Sequence, residues 1–255
     1  MTLYGERTVK CMVCDAESSH LGYDSIHIRR PQDLDLDMRH TGQGSVSMSL
    51  SIQECPTCGY CAPDLSLGPE TAADVIRSTE YQEQLKSPEF PHLANVFLCH
   101  SLIQERENNF AVAAIKAIYA AWVCDDASHQ EGAKKCRLRA IRMYDKAKAK
   151  LQTLTSIMER HDYGFDYAFL VTVTRTSIKA IYDDAVLITD LLRRAGEFEL
   201  AMVSCKKGLE LQPEKDIRTL LEFQQVLIER KDIDKHTMEE AGMYFRIRAL
   251  GLDDT

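Results

Sequence analysis

Cys11 and Cys14 form one CxxC pair in KCMVCD, and Cys55 and Cys58 form a second in ECPTCGYCAPDLS, where Cys61 adds a third thiol within seven positions. Two such pairs suit a tetrahedral tetrathiolate site: each CxxC spans one edge of the tetrahedron, and the intervening chain must bring the pairs together. Gly59, directly after the second pair, fits a knuckle in which a residue without Cβ lets backbone N–H groups turn toward the sulfurs. Forty residues separate Cys14 from Cys55, against roughly 15–20 in compact zinc modules. The expectation is a zinc ribbon with an inserted hairpin, holding a structural Zn2+ on Cys11, Cys14, Cys55 and Cys58.

Cys61 keeps two other metals open. Cys55, Cys58 and Cys61 read as CxxCxxC, the start of an iron–sulfur ligand run, with Cys11 or Cys14 as fourth ligand. CxxC followed by CPxCG also resembles rubredoxin, which holds a single iron on four such sulfurs. Here, however, Asp15 rather than glycine follows Cys14, and rubredoxin's aromatic cover is missing. A thioredoxin-like dithiol needs only one CxxC, at a helix N-terminus, so two pairs disfavour it. In the zinc reading Cys61 is an extra thiol beside the metal; if exposed, it is the reactive group of a redox sensor or enzyme. His20, His27 and His40 lie between the pairs and are surplus once four thiolates are counted. DLDLD sets Asp33, Asp35 and Asp37 at calcium-loop spacing, but Met38 and Gly44 stand where that loop needs glycine and glutamate. A strand with Leu34, Leu36 and Met38 inward and its carboxylates outward is expected instead. No nucleophile elbow, phosphate loop or dinucleotide fingerprint occurs. No catalytic residue is therefore assigned and no enzyme activity expected, with only machinery assembled from scattered residues left open.

The elements that must position these cysteines change character near residue 66. DSIHIRR and SVSMSLSIQ alternate apolar with polar residues, the period of half-buried strands, and HTGQG between them is a turn. From GPETAADVIRSTEYQEQL onward the apolar residues recur three and four apart, as in PHLANVFLCHSLIQER, NNFAVAAIKAIYAAWVCDD and QEGAKKCRLRAIRMYDKAKAKLQ. In the last, Cys136, Ala140, Tyr144, Ala147 and Leu151 form the buried stripe, with Lys135, Arg139, Arg142 and Lys146 away from it. YGFDYAFLVTVTRTS reads as a linker. Arg193 and Arg194 followed by Gly196 suit a helix C-terminus, and Thr237 with Glu240 has the spacing of a capping box. The chain therefore reads as mainly α: a small N-terminal β zinc ribbon over 1–66, followed by an α-helical domain over 67–255.

YDDAVLITDLLRRAGEFELAMVSCKKGLELQPE, within 182–215, resembles a tetratricopeptide repeat. Ala185, Ile188 and Leu192 take the first helix's packing positions, Gly196 the turn, Phe198 and Ala201 the second helix's contacts, and Pro213 the end. Thr189, Cys205 and Gly208 depart from it. Residues 108–150 look like a degenerate copy with a longer inter-helix loop, and one repeat needs such neighbours to bury its face. With the upstream CxxC, the run DLDLDMRHTGQGSVSMSLSIQECPTCGYCAPDLS and the later LLRRAGEFELA make the chain similar to a bacterial domain-of-unknown-function family, number 2225. That resemblance implies the architecture and no activity.

The balance of 31 Lys and Arg against 39 Asp and Glu gives a net charge of -8. An acidic chain is a poor unspecific binder of nucleic acid. The local exception is the basic run 134–150, the face through which a nucleic-acid-associated ribbon protein would act. No signal peptide or stretch of about 18 apolar residues is seen. A cytoplasmic location away from membranes is expected, and there nine cysteines argue for metal and burial over disulfides. The expected function is a zinc-binding adaptor or scaffold that engages a protein partner through its helices.

Overall fold

The computed structural model describes residues 3–25, 34–39, 48–150 and 184–249. The turn HTGQG, the linker YGFDYAFLVTVTRTS, Asp33, His27, His40, Leu151 and most of DSIHIRR lie outside them. The chain's contacts divide it into two compact units, Met1–Ile28 with Gly44–Val171, and Arg29–Gln43 with Thr172–Thr255. This division does not fall between 66 and 67: the ribbon shares a unit with the first helices, and part of the segment between the CxxC pairs joins the last ones.

In the first unit, β1 (Leu3–Lys10) and β2 (Glu17–Ser25) pair antiparallel from Lys10 opposite Glu17 out to Leu3 opposite Ser25. The short strands β3 (Gln53–Glu54) and β4 (Cys61–Ala62) pair likewise. SVSMSLSIQ is not the expected strand where it is described. Met48 and Ile52, four apart, are buried by a helical turn in which both the Ser51 N–H (3.1 Å) and its hydroxyl (2.8 Å) donate to the Met48 carbonyl. Alternation of serine with apolar residues fits that turn as well as a strand, because i and i+4 share a helical face.

The helical run after Gly68 breaks once. Ser78, extended at φ -66° and ψ 147°, ends α1 (Ala72–Arg77) and caps α2 (Thr79–Leu85), its hydroxyl accepting from the Tyr81 N–H. The long helices α3 (His92–Arg106), α4 (Phe110–Asp126) and α5 (Gln130–Ala149) then fold back on one another. Fully buried Ala113, Ala117, Ala120 and Ala121 of α4 and Ala133, Cys136, Ala140 and Ala147 of α5 let these two helices approach closely. The loop between them is not long, as expected from sequence, but three residues, Ala127 to His129. Ser128 at φ 56° supplies the left-handed position, with its N–H bonded to the Asp125 carbonyl and the His129 N–H to that of Cys124. The same 5→2 and 6→1 hydrogen bonds, a Schellman ending, recur at Asn108 (φ 59°), Gly196 (φ 77°) and Lys231 (φ 54°).

In the second unit, α6 (Asp184–Arg194) and α7 (Phe198–Glu210) form an antiparallel pair across that turn, followed by α8 (Lys215–Glu229) and α9 (Met238–Ala249). The three departures from the repeat are contact residues. A Cβ on Gly208 would stand 2.7 Å from the Ala185 Cβ and 2.9 Å from the Leu221 Cδ1. The Cys205 thiol donates to the Leu221 carbonyl at 3.2 Å, and the Thr189 hydroxyl donates to Ser204 Oγ at 3.0 Å. Arg193 is wholly buried. Its guanidinium donates to Asp190 Oδ1 (2.7 Å) and to the carbonyls of Asp232 (2.7 Å) and Asp234 (2.9 Å), so the loop before α9 is tied to α6. The capping box forms as expected, Thr237 and Glu240 exchanging two bonds of 3.1 Å. Among the described residues no helix is long and apolar enough to cross a membrane.

Residues 34–39 form a strap on these helices. The Leu36 N–H donates to the His236 carbonyl (2.9 Å) and the Met238 N–H to the Leu34 carbonyl (2.7 Å). Leu34, Leu36 and Met38 are buried as expected, but Asp35 and Asp37 are buried too, each only 1% exposed, contrary to the outward carboxylates read from the alternation. Asp37 accepts from Arg194 Nη1 at 2.6 Å, a pairing that the sequence pattern does not show. Neither Asp35 oxygen has a hydrogen-bond partner among the described residues, and the nearest cation, Lys235 Nζ, stands 3.7 Å away. Burial, and then the charge of Asp37, push the Asp35 carboxyl up to about 6.

A carboxyl whose pKa is raised on folding favours the protonated form. The second unit should therefore gain on the order of 2 kcal/mol as pH falls from about 7 through 6 toward 4, and Asp35→Asn should remove that dependence in urea unfolding at a series of pH values. Gly208→Val should cost about 1–3 kcal/mol in the same measurement, because the added methyl groups meet α6 and α8.

Candidate metal centre

Each CxxC closes one hairpin, and the two turns are built alike. In the first, the Cys11 N–H donates to the Ala16 carbonyl and the Asp15 N–H to the Cys11 carbonyl, both 2.9 Å. In the second, the Cys55 N–H donates to the Tyr60 carbonyl and the Gly59 N–H to the Cys55 carbonyl, both 2.8 Å. The left-handed residue that each turn requires is Asp15 (φ 60°) in one and Gly59 (φ 75°) in the other. Asp15 thus does what glycine does in its counterpart, aspartate being among the residues that tolerate this region, and its carboxylate meets Lys10 Nζ at 2.8 Å.

The turns bring four sulfurs together. Cys11, Cys14, Cys55 and Cys58 Sγ all lie within 4.8 Å of one another. Cys11 to Cys58 is 3.7 Å and Cys14 to Cys55 is 3.6 Å, far beyond a disulfide bond. A metal about 2.3 Å from each sulfur sets tetrahedral edges of about 3.8 Å, so the residues fit a single tetrahedral ion. Backbone N–H groups of Val13 and Cys14 point at the Cys11 sulfur, and those of Thr57 and Cys58 at the Cys55 sulfur. Burial opposes ionisation of Cys55, yet these N–H donors and the neighbouring thiols bring it down to about 7; at Cys11 and Cys58 burial wins and raises the thiol. A cation at the centre of the four sulfurs would favour the thiolate in each.

The surroundings lock the turns in ways the sequence does not reveal. Tyr81, from α2, places its hydroxyl between the knuckle and β4, donating to the Gly59 carbonyl (2.9 Å) and accepting from the Cys61 N–H (3.1 Å). Tyr60 is 1% exposed and donates to the Leu67 carbonyl at 2.7 Å. Gly68 makes room for it, since a Cβ there would fall 2.0 Å from the Tyr60 hydroxyl. The Met12 N–H donates to the Leu65 carbonyl (2.9 Å), joining the first knuckle to the chain after β4. No periodicity marks either tyrosine; a tyrosine directly after CPxCG is the one local hint.

Cys61 does not join the four. Its side chain is fully buried, its thiol donates to the Gly59 carbonyl at 3.4 Å, and the Cys99 thiol lies beside it. Burial, then Cys99, hold the Cys61 thiol well above its ordinary range. An exposed reactive thiol is therefore not what the fold presents. On the other side, His100 Nδ1 donates to the Cys61 carbonyl at 3.0 Å. His20 sits in the β hairpin with Ser18 at 2.8 Å and is not part of the cluster.

The basic run is largely spoken for. Arg137, 3% exposed, pairs with Asp125 at 2.5 Å. Arg139 and Lys146 both reach Glu105, at 2.8 and 2.6 Å, and Lys135 meets Glu89 at 2.8 Å. Lys150 donates to Asn108 Oδ1 at 2.8 Å and lies over the Phe110 ring, while Lys148 lies over Tyr144. Arg139, expected away from the buried stripe, is thus half-buried against α3.

In the metal-loaded protein Cys61 should resist alkylation, labelling at least ~100-fold more slowly than in the denatured chain. Peptide mapping after timed iodoacetamide exposure measures this, and rapid labelling would show a thiol that the fold leaves open.

No curated protein and no solved structure matches the chain. A family model does, over residues 4–240, and its description is "Uncharacterized protein conserved in bacteria (DUF2225)". Since that span takes in both knuckles, the strap and helices α1 to α8, the chain belongs to this bacterial family, DUF2225.

Proposed function

We propose that the protein is a zinc-binding cytoplasmic adaptor or scaffold. In this reading Cys11, Cys14, Cys55 and Cys58 hold one structural Zn2+, and the tetratricopeptide-like helices of the second unit engage a protein segment. The observation that carries it is the tetrathiolate itself: two like knuckles whose four sulfurs have the spacing of one tetrahedral ion. An iron–sulfur cluster is disfavoured, because several irons and inorganic sulfides need thiolates spread wider than these. All four positions are taken by protein thiols, which suits a structural site with no open position for substrate. The adaptor role is supported by the second unit's hold on a short turn of its own chain, Leu34–Arg39, by two backbone hydrogen bonds and a carboxylate–arginine pair.

The nucleic-acid reading has less support, since most basic residues of α5 already face carboxylates or rings. The redox reading through Cys61 has less still, given that thiol's burial.

Purified protein should carry one zinc per chain and be colourless. A strong chelator should unfold β1 to β4, the metal supplying on the order of 10 kcal/mol to a small β unit. Elemental analysis with far-UV circular dichroism checks both. The visible absorption of a ferric tetrathiolate, or an intact ribbon in the metal-free chain, would overturn the zinc assignment.

A further inference from the structure

Of the nine cysteines, the five outside the metal centre are all free and buried. Cys61 lies beside Cys99, and the Cys205 thiol donates to a carbonyl. Cys124, near the end of α4, and Cys136, in the second turn of α5, meet each other. The Cys136 S–H donates to the Cys124 sulfur across the contact between the two helices. Buried Ala120, Ala121, Ala133 and Ala140 flank the pair and let the two backbones come close, which a disulfide demands.

The surroundings of Cys124 are those that activate a thiol. Its sulfur lies against the first turn of α5, where a Cβ on Gly132 would stand 3.1 Å from it and 2.6 Å from Nδ1 of His129, the residue that caps the helix. The positive end of a 20-residue helix is therefore beside this sulfur. Arg137, paired with Asp125, adds a guanidinium near both thiols. Donation from Cys136, which burial and Asp125 oppose and Arg137 assists, brings the Cys124 thiol below its ordinary range. Donating to Cys124, and then burial, hold Cys136 above that range. One sulfur is thus the nucleophile and the other keeps its proton. Cys61, by contrast, is held high by burial and by Cys99. Asp126, Ala127 and Ser128, just beyond Cys124, are exposed, and Gly132 sets no side chain over the sulfur, so a small oxidant has a short path to it.

We propose that Cys124 and Cys136 are a redox dithiol, outside the metal centre, that reduces a small hydroperoxide and closes a disulfide between α4 and α5. The Cys124 thiolate attacks one peroxide oxygen: the S–O bond forms, the O–O bond breaks, and the other oxygen leaves and takes a proton from water. The Cys136 sulfur then attacks the Cys124 sulfur. The S–S bond forms, the S–O bond breaks, and the departing hydroxide takes the Cys136 proton and becomes water. The two sulfurs together lose two electrons, and the O–O bond gains them. An external dithiol returns the pair to the reduced state by exchange. While it lasts, the bond pins the ends of α4 and α5 on either side of the Ala127–His129 turn. None of these steps uses the four thiolates of the metal centre.

Treating the full, metal-loaded chain with hydrogen peroxide in small excess near neutral pH, then mapping its thiols by differential alkylation and mass spectrometry, tests this. The Cys124–Cys136 disulfide should form at least about tenfold faster than Cys205 is oxidised, a thiol equally buried but donating to a carbonyl. Bound zinc should be retained while the disulfide forms, and dithiothreitol should reverse it. Cys136→Ala should slow the reaction at Cys124 roughly tenfold and stop it at a sulfenic acid that dimedone traps. Cys124→Ala should leave Cys136 unmodified. The proposal is overturned if both thiols stay reduced while others oxidise, if zinc is lost before the disulfide appears, or if Cys136 reacts as readily without Cys124. Should circular dichroism show a variant misfolded, the map of the unaltered chain decides by itself.

Discussion

Everything in the first unit depends on a sulfur–sulfur approach that unaided thiols have little reason to make. Four sulfurs within 4.8 Å would be crowded if ionised and would contribute little if protonated. Their convergence is imposed by two turns closed by their own backbone hydrogen bonds, with further N–H groups pointing inward at sulfur. From that junction the rest of the unit is arranged. β4 leads out of the second knuckle onto the helices through the Cys61 carbonyl and His100, and Tyr81 reaches back to brace the same turn. The histidine is neutral, its pKa lowered to about 3 first by burial and then by the nearby Lys116 charge, so it serves as a hydrogen-bond donor rather than a cation.

The helices are governed by close approach. Alanines line α4 and α5, and a glycine lets α7 meet α6 and α8. Three of the long helices are joined by three-residue turns that differ in sequence and agree in hydrogen bonding. Three buried arginines are each paired within their own unit, Arg193 with Asp190, Arg194 with Asp37, and Arg137 with Asp125, whereas buried Asp35 has no hydrogen-bond partner among the described residues. Breaking one member of such a pair typically costs more than the pair contributes, because the other is left buried and uncompensated.

Much of this was legible in the sequence. Helical periodicity located α3, α4, α5 and the α6–α7 pair, and the spacing of the cysteines picked out the four that converge. The rest failed for identifiable reasons. Left-handed turn residues are easy to see when they are glycine, as at Gly196, and hidden when they are Asn108, Ser128 or Lys231. Alternation in DLDLDM told correctly which apolar residues are inside, but whether the aspartates face water depends on a guanidinium 157 positions away. Ser78 looked like one more helical residue and proved to be a break, because its hydroxyl could cap the helix that starts at Thr79. The burial of Cys61 is set by Tyr81, Cys99 and His100, three residues of α2 and α3 that no local pattern connects to it.

The path of the chain carries a consequence for inheritance. It passes from the first unit to the second after Ile28, returns at Gly44 and leaves again after Val171. A gene fragment that ends or begins anywhere between these points carries one unit without a piece of its own core. Neither unit can be copied into another protein, or lost, as a single contiguous exon-like block. Only a fragment that keeps the chain whole across all three crossings contains both cores complete.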